Sequence, residues 1–265
     1  MGTPALGAPF PGRVLAVGQS GPAVLTIQKR LNRLGCGPIA EDSQFGPETQ
    51  DAVELFQARS ADHYGVPLRI DGRVGPLTWA ALFAAPIEEV TTAASPLLAQ
   101  AVLAAKNEIG VTEVPPGSNR GPRVDRYLRA VGLNPTTGHY SWCAAFVYWC
   151  FKEAASALKV KNPVIRTAGV LDHWIRAGTA GVHRLSCAEC SDTPGLVKPG
   201  MIFVISTGSG NGHTGLVEAV RGNYLTTIEG NTNDNGSREG IGVFRRTTRK
   251  IPEINRGFVD YAERD

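Results

Sequence analysis

Three residue types that together can break an amide bond occur in one order along the second half of the chain: Cys143, His213 and Glu229, with Asn231 two positions on. A thiolate attacks a carbonyl carbon, an imidazole moves the proton, and a third polar group fixes the tautomer and orientation of that imidazole. Cys143 lies in His139-Tyr-Ser-Trp-Cys-Ala-Ala-Phe-Val-Tyr-Trp-Cys150. With Ser141 as N-cap, Cys143 falls in the first turn of a helix. There the helix dipole favours the thiolate and the free amides can hold an oxyanion. The other use of such a residue is as a small buried hydrophobe. His213 follows Ser-Gly-Asn-Gly and opens Thr-Gly-Leu-Val-Glu-Ala-Val, so small residues leave it open to close approach at the mouth of a strand. A hairpin turning at Arg221-Gly-Asn223 would return Glu229 beside His213. The Asn- and Gly-rich stretch after Glu229 would equally suit a plain turn.

The remaining cysteines and histidines suit other roles. Cys150 is seven residues beyond Cys143, two turns deeper on the same helix face, and is assigned to the core. Cys187-Ala-Glu-Cys190 has two thiols, but zinc needs two more ligands and only His183 is close in sequence. These residues are expected as a loop with two thiols, able to form a labile disulfide. No metal and no cofactor are expected. His63 falls in the first half, His139 just ahead of Cys143, and His173 and His183 in a middle region where surface positions are expected.

The elements that must position these groups can be placed by periodicity. Apolar spacing and helix-start signals predict helices over about 97–109, 123–130 and 142–158. Strand-like runs follow at 201–206, 214–220, 224–229, 242–248 and 257–262. Helices first and antiparallel strands after give an α+β domain.

The first part of the chain is built differently. Residues 42–53, DSQFGPETQDAV, and 71–82, DGRVGPLTWAAL, repeat Asp, Gly-Pro, Thr and Ala at a constant offset of 29. In each copy Asp opens a turn and Pro47 or Pro76 takes the first helical position, where a missing N–H costs nothing. Thr49, Val53 and Phe56, and Thr78 and Leu82, should face inward. An earlier helix over about 22–34 carries Val24, Ile27, Leu31 and Leu34 as its apolar stripe. Residues 85–97 are small, polar and bounded by proline, which reads as a linker.

Length and composition fit two ordinary domains: 265 residues, 42% hydrophobic and 19% charged. A net charge of +3 is too small to argue for nucleic acid. Residues 1–90 hold 7 basic and 9 acidic side chains and residues 91–265 hold 20 and 15, which leaves the second half mildly cationic. No apolar run is long enough to span a bilayer, so no membrane insertion is expected. The first residues show no secretory leader, and five widely spaced cysteines suit a reducing compartment. Synthesis in the cytoplasm is therefore expected.

Two family resemblances extend this picture. The run Gly18, Gly21, Val24, Ile27-Gln28, Leu31, Leu34-Gly35, Asp42, Phe45-Gly46, Thr49, Ala52-Val53, Phe56-Gln57, Asp71-Gly72, Val74-Gly75, Thr78-Trp79 and Leu82 resembles the three-helix peptidoglycan-binding domain. That resemblance implies a groove near the repeat turns, with Gln57, Arg73 and Trp79 as candidate wall contacts. Residues 119–150, then Pro199-Gly200-Met-Ile-Phe, Gly212-His213-Thr-Gly-Leu-Val and Glu229-Gly-Asn231-Thr232, resemble the CHAP family within the NlpC/P60 group of papain-like wall hydrolases. By that resemblance Cys143 is the nucleophile, His213 the base, Glu229 the orienting acid and Asn231 an accessory polar residue. Glu229 stands where the NlpC/P60 branch usually carries a second histidine. Asn119, Tyr127, Tyr140 and Trp142 become candidate substrate contacts, and Asp125 a turn or helix-surface residue.

The resulting expectation is an all-α three-helix module over residues 10–85, a linker over 86–96, and an α+β papain-like domain over 97–265 with its N-terminal helices packed on an antiparallel sheet. The implied protein is a monomeric peptidoglycan hydrolase cleaving either the N-acetylmuramoyl–L-alanine amide or a stem-peptide bond, as an endolysin, autolysin or antibacterial effector acting on the wall. The competing functions are a wall-binding protein without turnover and an amidase for a small soluble amide.

Overall fold

The structure, a computed structural model, describes residues 7–232 and 240–262. The chain divides into two compact units. One runs to Glu88 and takes in Ser191–Gly195; the other comprises the rest from Glu89 onward.

The first unit is helical: α1 (Pro22–Arg33), α2 (Pro47–Ala58) and α3 (Pro76–Phe83). Each opens with a proline, as foreseen for α2 and α3, behind a glycine N-cap (Gly21, Gly46, Gly75) that offers no side-chain acceptor. Val24, Ile27, Leu31, Phe45, Val53, Trp79, Leu82 and Phe83 form its core. Leu34, expected on the apolar stripe, is exposed, because the helix ends at Arg33 and the chain turns outward there.

Two buried glutamines lock the unit. Gln28 Nε2 donates to Asp42 Oδ1 (2.8 Å), the Gln44 carbonyl (2.8 Å) and Thr49 Oγ1 (3.2 Å), and its Oε1 accepts from the Ser43 amide. Gln57, again 29 residues on, repeats the pattern on Asp71 Oδ1 (3.0 Å), the Arg73 carbonyl (2.9 Å) and Thr78 Oγ1 (3.2 Å), while its Oε1 accepts from the Asp71 and Gly72 amides. Each glutamine thus satisfies the polar groups of the turn that leads into the next helix, groups whose burial would otherwise be costly.

The second unit is α+β. Helix α4 (Pro96–Asn107) is capped by Ser95, whose side chain accepts from the Leu98 amide at 3.3 Å. Helices α5 (Val124–Ala130), α6 (Cys143–Leu158) and α7 (Val170–Thr179) follow, then the short α8 (Cys187–Asp192), whose last two residues are counted with the first unit. The strands are β1 (Glu89–Val90), β2 (His183–Ser186), β3 (Ile202–Gly208), β4 (Asn211–Arg221), β5 (Tyr224–Thr232), β6 (Gly242–Lys250) and β7 (Gly257–Asp260). They make one antiparallel sheet in the order β2-β7-β3-β4-β5-β6, with β1 added along β4. Helix α6 is apolar on its inner face and buries Phe146, Val147, Cys150, Phe151 and Ala154 with Leu216 and Ile228 of the sheet.

The structure departs from the sequence expectation in several places. Glu89 and Val90, inside the stretch read as linker, pair with Arg221 and Val220. Helix α7 and strand β2 lie in the middle region where no element was foreseen. Cys187 and Cys190 lie on a helix rather than a loop, and neither is in a disulfide. Cys190 is buried, and its thiol is pushed up to about 12 by that burial and by the neighbouring Glu189. His173 is a core residue rather than a surface one. No helix among the described residues is long and apolar enough to cross a membrane.

Candidate functional site

Cys143 is the first residue of α6. Trp142, not Ser141, occupies the N-cap position, and no side chain caps the helix there. The difference has a local cause: Trp142 is fully buried and its carbonyl takes the Phe146 amide at 2.8 Å, so the first helical bond starts one residue later than Ser141 would allow. The first-turn amides beginning at Cys143 have no acceptor within the helix.

His213 sits near the start of β4, opposite Ile205 of β3, with its ring 6.0 Å from that of Phe203. Its Nε2 meets Glu229 Oε2 at 2.7 Å. Nδ1 is buried and has no partner at hydrogen-bond distance among the described residues, so this is the nitrogen left for the thiol. Cys143 is near enough to act on the ring. Burial alone would lower the imidazole, but the Cys143 thiol and the Glu229 carboxylate override it and push it up to about 9. Cys143 and His213 are 3% and 5% exposed, so the pair is screened from bulk water.

Glu229, on β5, has no exposed surface. Its Oε1 accepts from Thr227 Oγ1 (2.6 Å) and Arg249 Nε, and its Oε2 from Arg249 Nη2 (2.7 Å) and His213. Burial would raise this carboxyl; the Arg249 guanidinium and then His213 outweigh it and hold it down at about 2. Arg246 adds a second guanidinium, with Nε 3.9 Å from Oε1.

Two glycines make this approach possible. A Cβ on Gly215 would stand 2.7 Å from the Ile228 carbonyl, 2.8 Å from the Phe203 ring and 2.9 Å from Glu229 Cγ. A Cβ on Gly230 would stand 2.7 Å from Phe146 and 2.8 Å from Trp142.

Of the residues expected at the site, Cys143, His213 and Glu229 are brought together. Asn231 is buried in a left-handed backbone conformation (φ 57°), and among the described residues no hydrogen bond joins its side chain to the other three. Tyr127 and Trp142, expected to touch substrate, are instead core residues without exposed surface. The Tyr127 hydroxyl donates to buried Glu108, which also pairs with Arg123, and Trp142 Nε1 donates to Glu113 Oε1 at 2.8 Å. Asn119 is half-buried, and its backbone amide donates to the other Glu113 oxygen at 3.0 Å. Tyr140 is half-buried, its hydroxyl 3.2 Å from Thr137 Oγ1.

Sequence reasoning missed Glu113, which ties the 113–119 loop to the residue before Cys143. It also missed Arg249, twenty positions beyond Glu229 and outside any motif. The available signal for Arg249 was an arginine on the strand next to a buried acid. In the first unit, Gln57 and Trp79 are buried rather than offered to a ligand: Gln57 is the clamp described above, and Trp79 Nε1 donates to the Ala8 carbonyl at 2.8 Å. Arg73 is partly exposed and pairs with Asp192. Among the described residues no group of three or more His, Cys, Asp or Glu side chains is placed to hold a metal ion.

A helical module followed by an α+β domain with an antiparallel sheet is the architecture of the chain. Residues 20–82 match the family of peptidoglycan binding domains and residues 135–231 match the CHAP domain family. The chain thus carries a peptidoglycan-binding domain followed by a CHAP domain. A solved structure, the crystal structure of Burkholderia AP3 phage endolysin, is similar at 24% identity over 55% of this chain, with a TM-score of 0.28. The similarity spans 62% of that endolysin chain. No curated protein matches.

Proposed function

We propose that this chain is a cysteine-dependent amidase or endopeptidase of bacterial peptidoglycan, with Cys143 as nucleophile, His213 as the proton carrier and Glu229 as the group that orients it. The observation that carries the proposal is the position of His213 between the other two: Nε2 is bound to a fully buried carboxylate at 2.7 Å, and the ring is raised by the thiol. A protonated imidazole beside sulfur favours the attacking thiolate.

In the first step the Cys143 sulfur bonds to the amide carbonyl carbon, and the carbonyl oxygen takes the negative charge. The first-turn amides of α6 are suited to receive that oxyanion. His213 then gives its proton to the amide nitrogen, the C–N bond breaks, the amine leaves and a thioester remains. Water attacks the thioester carbon while neutral His213 takes one water proton. The C–S bond breaks, the acid is released, and the sulfur and imidazolium are restored. Asn231 is assigned an accessory polar role. Asn119 and Tyr140 remain candidate substrate contacts, and Arg73 a candidate wall contact.

The peptidoglycan-binding domain, assigned to residues 10–85 and joined through 86–96 to the hydrolase domain at 97–265, holds the hydrolase on its polymer and raises its effective concentration there. The enzyme is proposed to act on the wall as a monomer.

The test is digestion of purified peptidoglycan followed by mass spectrometry of the released fragments. Release of intact stem peptides indicates cleavage at N-acetylmuramoyl–L-alanine, and shortened peptides indicate a stem-peptide bond. Cys143→Ala, nearly isosteric at a small buried position, is expected to retain the fold and release nothing. Wild-type release by that variant would refute the proposal.

A further inference from the structure

Resting on the reading of Cys143, His213 and Glu229 as a hydrolytic site, we propose that Arg249 is a positioning residue of that site: it holds Glu229 in the orientation from which Oε2 meets His213 Nε2. Arg249 grips both carboxylate oxygens, Nε on Oε1 and Nη2 on Oε2, and such two-point pairing fixes the plane of a carboxylate as one bond cannot. The guanidinium is itself fixed. It lies over the Phe203 ring at 5.1 Å, and the side chain is 14% exposed.

The backbone is shaped for this contact. Leu225 pairs with Arg249 and Thr227 with Arg246, so two steps on β5 are matched by three on β6. In a regular strand residues three apart point to opposite faces. The bulge cancels that alternation and turns Arg246 and Arg249 toward the same carboxylate. Arg246 stays 3.9 Å away, with Nε and Nη1 buried and unpartnered among the described residues, so it adds charge without a hydrogen bond. The polar groups facing Glu229 are therefore His213 from β4, Thr227 from β5, and Arg246 and Arg249 from β6. Removing Arg249 takes away two of the four hydrogen bonds. Burial then favours the protonated acid, which can turn its O–H toward the ring and no longer holds the imidazole in one tautomer.

The experiment uses the full chain on purified peptidoglycan, measuring kcat, KM and the pH profile for Arg249→Met and Arg249→Lys, with circular dichroism as a check on folding. Arg249→Met is expected to lower kcat about 10- to 100-fold, the scale of a lost charge-assisted hydrogen bond. KM should stay within about twofold, because Arg249 does not reach substrate, and the acidic limb of the profile should move to higher pH. A carbon-13 titration of the Glu229 carboxyl should move the same way. Arg249→Lys keeps the charge and loses the two-point grip, so it should fall between. In a Glu229→Gln background, Arg249→Met should add less than about threefold, since it acts through that side chain.

Wild-type kcat with an unmoved acidic limb in Arg249→Met would overturn the proposal, as would an equal loss in the Glu229→Gln background. Should Arg249→Met fail to fold, wild-type kcat and an unmoved limb in Arg249→Lys would overturn it. Hydrolysis by Cys143→Ala would instead overturn the parent reading, and the Glu229 titration would still decide whether Arg249 holds the carboxylate.

Discussion

Replacing Glu229 by glutamine removes a charge and almost no volume, and the consequences can be worked out atom by atom. The carboxylate accepts four hydrogen bonds, two on each oxygen, and Arg249 donates to both oxygens. A glutamine offers one oxygen and one NH2, so whichever way the amide turns, one Arg249 N–H meets an N–H. Taking one partner from a buried ion pair costs about 3–5 kcal/mol, or a fall in Tm on the order of 10 °C for a domain of this size. His213 also loses one of the two groups that raise it, leaving only the Cys143 thiol against burial, so the imidazole falls from about 9. With the imidazole no longer held in one tautomer and orientation, hydrolysis should fall by on the order of a hundredfold or more.

The pH dependence of stability follows from the same pair. A carboxyl held at about 2 against an ordinary 4.5 stabilises the fold above pH 4.5, and that contribution is lost as pH falls toward 2. An imidazole raised from 6.5 to about 9 stabilises the fold below pH 6.5, and that contribution is lost as pH rises toward 9. Both limbs describe one interaction and count once. Calorimetry of wild type and Glu229→Gln across pH 3 to 10, with peptidoglycan turbidity for rate, should show both limbs in the wild type, and in the variant no acid limb and a smaller alkaline one. An unchanged Tm at pH 7 together with hydrolysis within threefold of wild type would refute this account of Glu229.

Other perturbations test separate parts of the molecule. Gly215→Ala puts a methyl against Glu229 Cγ, Phe203 and the Ile228 carbonyl, and should cut hydrolysis at least tenfold while lowering the imidazole titration of His213 seen by NMR. Gln57→Ala strips the partners from a buried turn and should cost the first unit about 3–5 kcal/mol, since each buried group left unpaired costs about 1–3 kcal/mol; denaturant titration should show that unit melting early, and sedimentation should show weaker binding to peptidoglycan. His173, pushed down to about 4 by burial, should make the fold less stable by about 3 kcal/mol as pH drops from 6.5 to 4. His173→Gln retains a partner for the Tyr261 hydroxyl without titrating, so it should flatten that fall when Tm is followed against pH.

Much of this was legible in the sequence because local physics decided it. Gly-Pro pairs set the starts of α2 and α3, and β-branched and aromatic residues between turn signals located β3 to β7. The hairpin through Arg221–Asn223 was enough to bring Glu229 back to His213. What was hidden depends on tertiary packing. Tyr127 and Trp142 carry polar tips and precede the nucleophile in the sequence, which suggests ligand contact; only the positions of Glu108 and Glu113 reveal that those tips are satisfied inside the core. Gln57 was a candidate through the resemblance to wall-binding domains; its offset of 29 from Gln28, the spacing of the repeat, is the signal of a structural duty. Arg249 was invisible because a one-residue bulge decides which face of β6 it takes.

Gly230 acts as a spacer by having nothing to offer. Its neighbour Glu229 reaches the imidazole, while at 230 itself the strand lies directly against Phe146 and Trp142, the ring one turn beyond the sulfur and the ring just before it. The gap between sulfur and imidazole is therefore metered by a missing methyl. Any larger residue there would wedge the helix outward and act as a graded throttle on the chemistry, leaving every reacting group intact.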